Sequence, residues 1–165
     1  MSLRAAREPL RSTTMSETEI VTRIDIDAPC SVVWSVLTDF EGFHAWNPMV
    51  TSATGAAMEG GEATLHYRSN LGIPLRFNVR ITAADAPREL RWVGSSLGVS
   101  GEHYFQLSGA GAQTHLVHGE VFRGLLAGPL GFVFRAQIPV FESFNEALKR
   151  AAQARVRNAG QSGYG

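Results

Sequence analysis

Between Met49 and Arg123 the chain shows six successive strand-like runs and no long helical period between them: Met49–Thr54, Glu62–Ser69, Ile73–Ala83, Glu89–Gly94, Ser100–Leu107 and Gln113–Arg123. The separators TGAAMEGG, NLG, ADAPR, SLG and SGAGA are short and made of turn-forming residues. Links of this length join antiparallel neighbours, because a parallel pair needs a crossover of about a dozen residues. The segment is therefore an antiparallel meander, which must either curve strongly or have an uncovered face. Cover is available downstream. From about Leu130 to Ala154, Val133, Phe134, Phe141, Phe144, Leu148 and Ala151 recur at three- and four-residue steps, the pattern of an amphipathic helix. Pro139 interrupts it, so the spacing predicts a short segment after Gly128-Pro129 and a main helix from about Pro139.

Upstream, Glu19 to Asp27 alternates strictly, with Ile20, Thr22, Ile24 and Ile26 on one face of a half-buried strand. Pro29 suits the first turn of a short helix through Val33, Trp34 and Leu37. Thr38 and Asp39 can cap a second through Phe40, Phe43 and Trp46, ended by Asn47-Pro48. Asp27 is a candidate cap for the first. The expected organisation is a single domain over residues 19–155, flanked by disordered tails at 1–18 and 156–165, with Met15 the expected native start.

Composition removes several classes of function. Lys+Arg and Asp+Glu both total 15, which gives no net field for phosphate backbones or anionic membranes, so no nucleic-acid partner is expected. No run approaches 18 apolar residues and no signal peptide is evident, so membrane insertion is not expected either. Cys30 is the only cysteine; it can form neither an intramolecular disulfide nor a thiolate cage, and it fits a reducing, cytoplasmic setting. It reads as a core thiol rather than a nucleophile. Gly109-Ala110-Gly111 lies between two strands with no helix after it, which makes it a hairpin turn and not a dinucleotide loop. Neither a cofactor nor a metal is expected.

The order strand, two short helices, six strands, long helix carries local motifs of one family. Ile26-Asp27-Ala28-Pro29, Val33-Trp34, Leu37-Thr38-Asp39-Phe40-Glu41 and Trp46-Asn47-Pro48 come first. His103-Tyr104-Phe105, then Thr114, His118, Glu120, Phe122 and Gly124, and Phe141-Glu142 with Asn145-Glu146-Ala147-Leu148-Lys149 follow. Taken together the chain resembles the START-related, polyketide cyclase-like superfamily of helix-grip proteins. The resemblance implies an α+β helix-grip fold, a curved antiparallel seven-stranded sheet around a long C-terminal helix. It also implies binding of a lipid, polyketide or aromatic molecule in the cavity between them, or, in a minority of members, ring closure or dehydration. The matched residues mainly form the fold, so they say little about the ligand.

Strand alternation assigns Leu65, Tyr67, Leu75, Phe77, Val79, Ile81, Leu90 and Trp92 to the inward face, with His103 and Phe105 beside them and His118, Glu120 and Phe122 on the last strand. A tight hairpin at SGAGA that sets Leu107 opposite Thr114 would put Phe105 opposite Leu116 and His103 opposite His118, with Glu120 one pair further on. His103, His118 and Glu120 then have three readings: buried polar groups that satisfy one another, orientation of a ligand hydroxyl or carbonyl, and a two-histidine, one-carboxylate metal site. The same three are the candidate acid/base residues if chemistry occurs. Trp46 is the candidate for the cavity mouth, and Phe132, Phe134, Phe141 and Phe144 are core residues, those facing the sheet forming the roof. The partner is thus a small hydrophobic molecule, and the protein is expected as a monomer or homodimer.

Overall fold

The computed structural model describes residues 16–68, 72–96 and 98–162. The chain runs β1 (Ser16–Ile26), α1 (Cys30–Leu37), a 3-10 turn (Glu41–Ala45), β2 (Val50–Gly55), β3 (Glu62–Arg68), β4 (Pro74–Asp85), β5 (Glu89–Ser96), β6 (Val99–Ser108), β7 (Thr114–Gly124), α2 (Gly131–Arg135) and α3 (Ile138–Ser162). All seven strands form one antiparallel sheet in the order β1-β7-β6-β5-β4-β3-β2. Each meander neighbour follows in sequence, as the short separators require. α1 and the 3-10 turn carry the chain from β1 at one edge to β2 at the other. This is the α+β helix-grip architecture.

Irregularities in β2 and β4 bend the sheet. The register of β2 on β3 shifts between Val50 and Ser52, and that of β4 on β5 between Ile81 and Ala83; such bulges raise local twist and curl the strand. α3 fills the resulting concavity, with Phe144, Leu148 and Ala152 in one core cluster with Ile26, Val33, Leu37, Leu65, Leu90, Phe105 and Leu116. Pro139 lies in the first turn of α3, where its missing N–H breaks no helical bond.

On the outer face, Gly119 stands opposite Tyr104 and Val21, and a Cβ there would lie 2.5 Å from the Tyr104 hydroxyl and 2.8 Å from the Ile20 carbonyl. The glycine lets the Tyr104 ring lie flat over β7 and reach Glu19 on β1 (2.8 Å). Beside it, Glu17, Arg123, Glu102, Arg91 and Glu89 form a chain of ion pairs at 2.8–2.9 Å across β1, β7, β6 and β5. These groups are partly exposed, so the chain adds little stability.

Several expectations need correction. β1 begins at Ser16, not Glu19, because Ser16 Oγ donates to Gly124 O (2.8 Å) and accepts from Gly128 N (2.8 Å). α3 continues to Ser162, past the expected end near 155. The remainder of the expected tails, including Met15, lies outside the described residues. Asp27 does not cap α1, whose start has no side-chain cap; its carboxylate accepts from Gln113 and Gln153 instead. Phe132 is not core, being 73% exposed.

The packing at Leu148, fully buried, is tested by truncation. Leu148→Ala is expected to lower unfolding free energy in urea by about 2–5 kcal/mol, whereas Leu125→Ala, at an exposed position, should change it by no more than about 0.5 kcal/mol.

Candidate functional site

The sheet's inward face is filled at one end and hollow at the other, and the difference lies in side-chain size. Ile81, Leu90, Phe105, Leu107 and Leu116 close one end, each under 5% exposed. Further along β5 and β6, Gly94 pairs with Gly101 and Ser96 with Val99. Two opposed glycines leave backbone where two side chains would have met α3. A cavity of about 590 Å³ opens there between the sheet, α2 and the start of α3. Its surface is mainly apolar, as small-molecule sites usually are.

Of the residues singled out from sequence, Leu65, Tyr67, Phe77, Val79, Trp92, His103, Glu120, Phe122 and Phe141 line this cavity. Leu75 and Phe77 remain 42% and 40% exposed, so that side opens to water. Phe105, His118 and Phe144 lie deeper, around a separate void of about 60 Å³. Trp46 borders neither space; it packs edge-on against Phe43 (5.1 Å) and Phe144 (5.2 Å). Gly94 and Gly101 carry no sequence signal for the site, nor do Gln137, just before α3, and Val140 in its first turn, although all four line the cavity. An absent side chain leaves no pattern in a hydrophobic period. Phe134, among the aromatics expected as core with the sheet-facing ones as roof, faces the sheet: it lines the cavity and stacks on Phe122 at 3.8 Å.

The hairpin register is two residues from the one expected. Leu107 pairs with Leu116, Phe105 with His118 and His103 with Glu120. A two-residue slip preserves the faces, so the same side chains still point inward, but it exchanges their partners. His103 and His118 are therefore diagonal neighbours, and their Nε2 atoms lie 2.6 Å apart. His103 is stacked on Trp92 (5.0 Å) and Phe141 (5.1 Å), and His118 on Phe105 (4.4 Å) and Phe141 (4.4 Å).

Two residues absent from the sequence-based candidates fix the protons. Thr22 Oγ1 donates to the His118 carbonyl (3.1 Å) and accepts from Asn145 Nδ2 (2.8 Å). Asn145 Oδ1 consequently faces His118 Nδ1 at 2.6 Å and accepts its proton. Burial, followed by the adjacent His103, holds the His118 imidazole well below its ordinary value, against the opposing effect of the Asn145 bond. A neutral His118 protonated at Nδ1 has its lone pair at Nε2, so His103 Nε2 must be the donor between the two rings. The other His103 nitrogen, Nδ1, lies 3.4 Å from Glu120 Oε2. The result is a directed column of Thr22, Asn145, His118 and His103, ending at Glu120 on the cavity wall.

This geometry differs from that of a metal site. The two Nε2 atoms are engaged with each other and His118 Nδ1 with Asn145, so the imidazoles present no common coordination point. Among the described residues no group of three or more His, Cys, Asp or Glu side chains is placed to hold a metal ion.

Tyr67, across the cavity, has its phenol pushed up by burial first and by the Glu120 charge second, so it remains an O–H donor. Glu120 fits because β6 has a glycine beneath it: a Cβ at Gly101 would collide with Glu120 Oε1.

A family profile described as polyketide cyclase / dehydrase and lipid transport matches residues 17–157. The chain belongs to this family. Solved structures share its fold at low identity. The Zhui aromatase/cyclase from Streptomyces sp. R1128 is 18% identical, with a TM-score of 0.72 over 88% of this chain and 99% of that one. A START superfamily protein from Mycobacterium smegmatis is 17% identical, with a TM-score of 0.69 over 82% and 97%. Norcoclaurine synthase from Thalictrum flavum, solved with dopamine and hydroxybenzaldehyde, is 9% identical, with a TM-score of 0.67 over 93% and 97%. No curated protein sequence matches significantly. Among the described residues no helix is long and apolar enough to cross a membrane.

The column has a stability signature in pH. Below about 6.5 an unfolded chain protonates the His118 side chain while the folded one does not, so folding stability falls as pH is lowered through that region. The slope from this group approaches about 1.4 kcal/mol per pH unit. Urea melts at a series of pH values from 7 to 5 should show that slope in the parent and its loss in His118→Gln.

Proposed function

We propose that this protein reversibly binds a small, largely apolar molecule in the cavity between the sheet and α3. The single observation that carries this reading is the cavity itself: 590 Å³ of space in a domain whose other half is close-packed, where proteins normally keep few voids larger than a water molecule. Aromatic and aliphatic walls supply affinity by burying apolar surface. The few polar groups, at Tyr67, His103 and Glu120, supply orientation. Family membership and the similar folds of ligand-binding and cyclase proteins support it. A carrier, a sensor and a sequestering protein would all use such a site, and the cytoplasm is the compartment the reading assumes.

N-phenyl-1-naphthylamine, a neutral apolar fluorophore, tests the reading. It should bind saturably with one-to-one stoichiometry and quench Trp92 emission. Gly94→Leu should weaken it at least tenfold while the protein stays folded, because the Cβ meets Val79 Cγ1 at 3.3 Å and the rest extends into the cavity. Absence of saturable binding to the parent would end the proposal.

A second reading, an acid/base enzyme of the aromatase/cyclase kind, is favoured by the proton column, which delivers an imidazole and a carboxylate to the cavity wall. The groups able to touch a substrate are His103 and Glu120; His118 is a positioning residue behind them. Turnover of a polyketide-like compound that is lost in His103→Ala, with apolar binding retained, would favour the enzyme. Recovery of unchanged ligand from the purified protein would favour the carrier.

A further inference from the structure

Glu120 and Tyr67 are two cavity-wall groups with hydrogen-bonding capacity to spare, facing each other across the space. Glu120 Oε2 faces His103 Nδ1 at 3.4 Å, while Oε1 lies over Gly101, on bare backbone. Among the described residues no group hydrogen-bonds Oε1 or the Tyr67 hydroxyl, and both residues line the same cavity. The wall thus presents one anionic acceptor and one neutral donor to the same space. Arg68, the cation among the described lining residues, is exposed at the end of β3, outside the buried part of the wall.

We infer that the ligand is a neutral molecule bearing a phenolic or enolic hydroxyl, which donates its proton to Glu120 Oε1 and accepts from the Tyr67 hydroxyl. This rests on the cavity-binding reading above. A hydroxyl carries one donor and acceptor lone pairs, and so matches both wall groups at once. An ether or ketone can accept from Tyr67 but leaves the carboxylate unpaired. A carboxylate ligand would place its charge against Glu120 and would have to turn toward Arg68 at the rim, leaving both inner groups unmatched. Sites that lose a hydrogen-bond partner on a buried polar group discriminate far more strongly than sites that lose a methylene. Charge on the acceptor adds to this, since hydrogen bonds to an ionised group are about twice as strong as neutral ones.

His103 sustains the arrangement. His103 Nε2 is engaged with His118 and its Nδ1 faces Glu120 Oε2 at 3.4 Å, so one carboxylate oxygen is turned to the imidazole and the other to Gly101.

Three matched probes test the inference by displacing N-phenyl-1-naphthylamine at pH 7: 2-naphthol, 2-methoxynaphthalene and 2-naphthoate. The naphthol should bind at least tenfold more tightly than either of the others. Glu120→Gln should narrow the naphthol-to-ether ratio to less than threefold and strengthen naphthoate at least fivefold by removing the like charge. Tyr67→Phe should weaken naphthol and ether together. Each variant is taken as folded when its far-UV circular dichroism and urea midpoint match the parent's, naphthyl affinities are computed from each variant's own affinity for N-phenyl-1-naphthylamine, and Glu120→Leu substitutes if Glu120→Gln does not fold. Equal affinities for the three probes, or naphthoate the tightest, would overturn the inference while the cavity reading stands. Failure of the naphthyl probes alone would do the same, whereas failure of N-phenyl-1-naphthylamine as well would overturn both.

Discussion

A fully buried imidazole must satisfy two ring nitrogens without water, and in this fold that requirement ties together the sheet, the long helix and the cavity. His118 is 1% exposed. One nitrogen is met by Asn145 of α3, which is itself held by Thr22 of β1, and the other by His103 of β6. An unmet buried polar group costs on the order of 1–3 kcal/mol. The network therefore resists any rotation of α3 that would withdraw Asn145. Phe141 and Phe144, on the same helix, pack against the imidazole and reinforce the placement. A helix lying in a curved apolar sheet could slide with little change in buried area; one that carries the partner of a desolvated histidine has a defined height and angle.

The column also marks the boundary between packed core and open space. On one side of His118 lie Phe105 and Leu116, both fully buried; on the other lie Glu120 and the cavity. The hollow half exists because Gly94 and Gly101 give α3 nothing to pack on there, and it stays hollow because α3 is pinned at Asn145 and cannot settle into the gap. Interior voids normally cost stability in proportion to their volume. Here the packed half, with Leu148, Ala152 and the α1 core, offsets that cost.

Much of this was legible in the sequence because strands and amphipathic helices write their faces in periods of 2 and 3.6. Tyr67, Phe77, Trp92, His103 and Glu120 could be assigned inward from alternation alone, and the two-residue register difference in the β6–β7 hairpin did not disturb that assignment, since parity is what fixes the face. Pairing was less legible. The same slip made His103 the partner of Glu120 rather than of His118. Asn145 and Thr22 were placed on the right elements, but their role was not visible, because a side chain that contacts residues more than 90 positions away leaves no local signal. Trp46 was misplaced for a different reason. A large aromatic beside Asn47-Pro48 reads equally well as rim or as core, and only the position of Phe144 decides between them.

The contrast between net charge and local charge shows why composition could exclude partners but could not describe the site. Positive and negative residues balance over the whole chain, and on the outer face they meet in the ladder from Glu17 to Glu89. The inner face carries Glu120 with a histidine at one oxygen and bare backbone under the other. A carboxylate in such surroundings persists only if a neighbour supplies a proton or a positive charge. With Nε2 donating to a histidine that burial keeps neutral, His103 supplies a proton at Nδ1 only as an imidazolium, which carries hydrogen on both ring nitrogens. The chemistry available at the cavity wall is thus set by residues that never touch the cavity, and the same fold with Asn145 or Thr22 replaced could keep its hollow and its apolar walls yet offer a ligand a different acceptor.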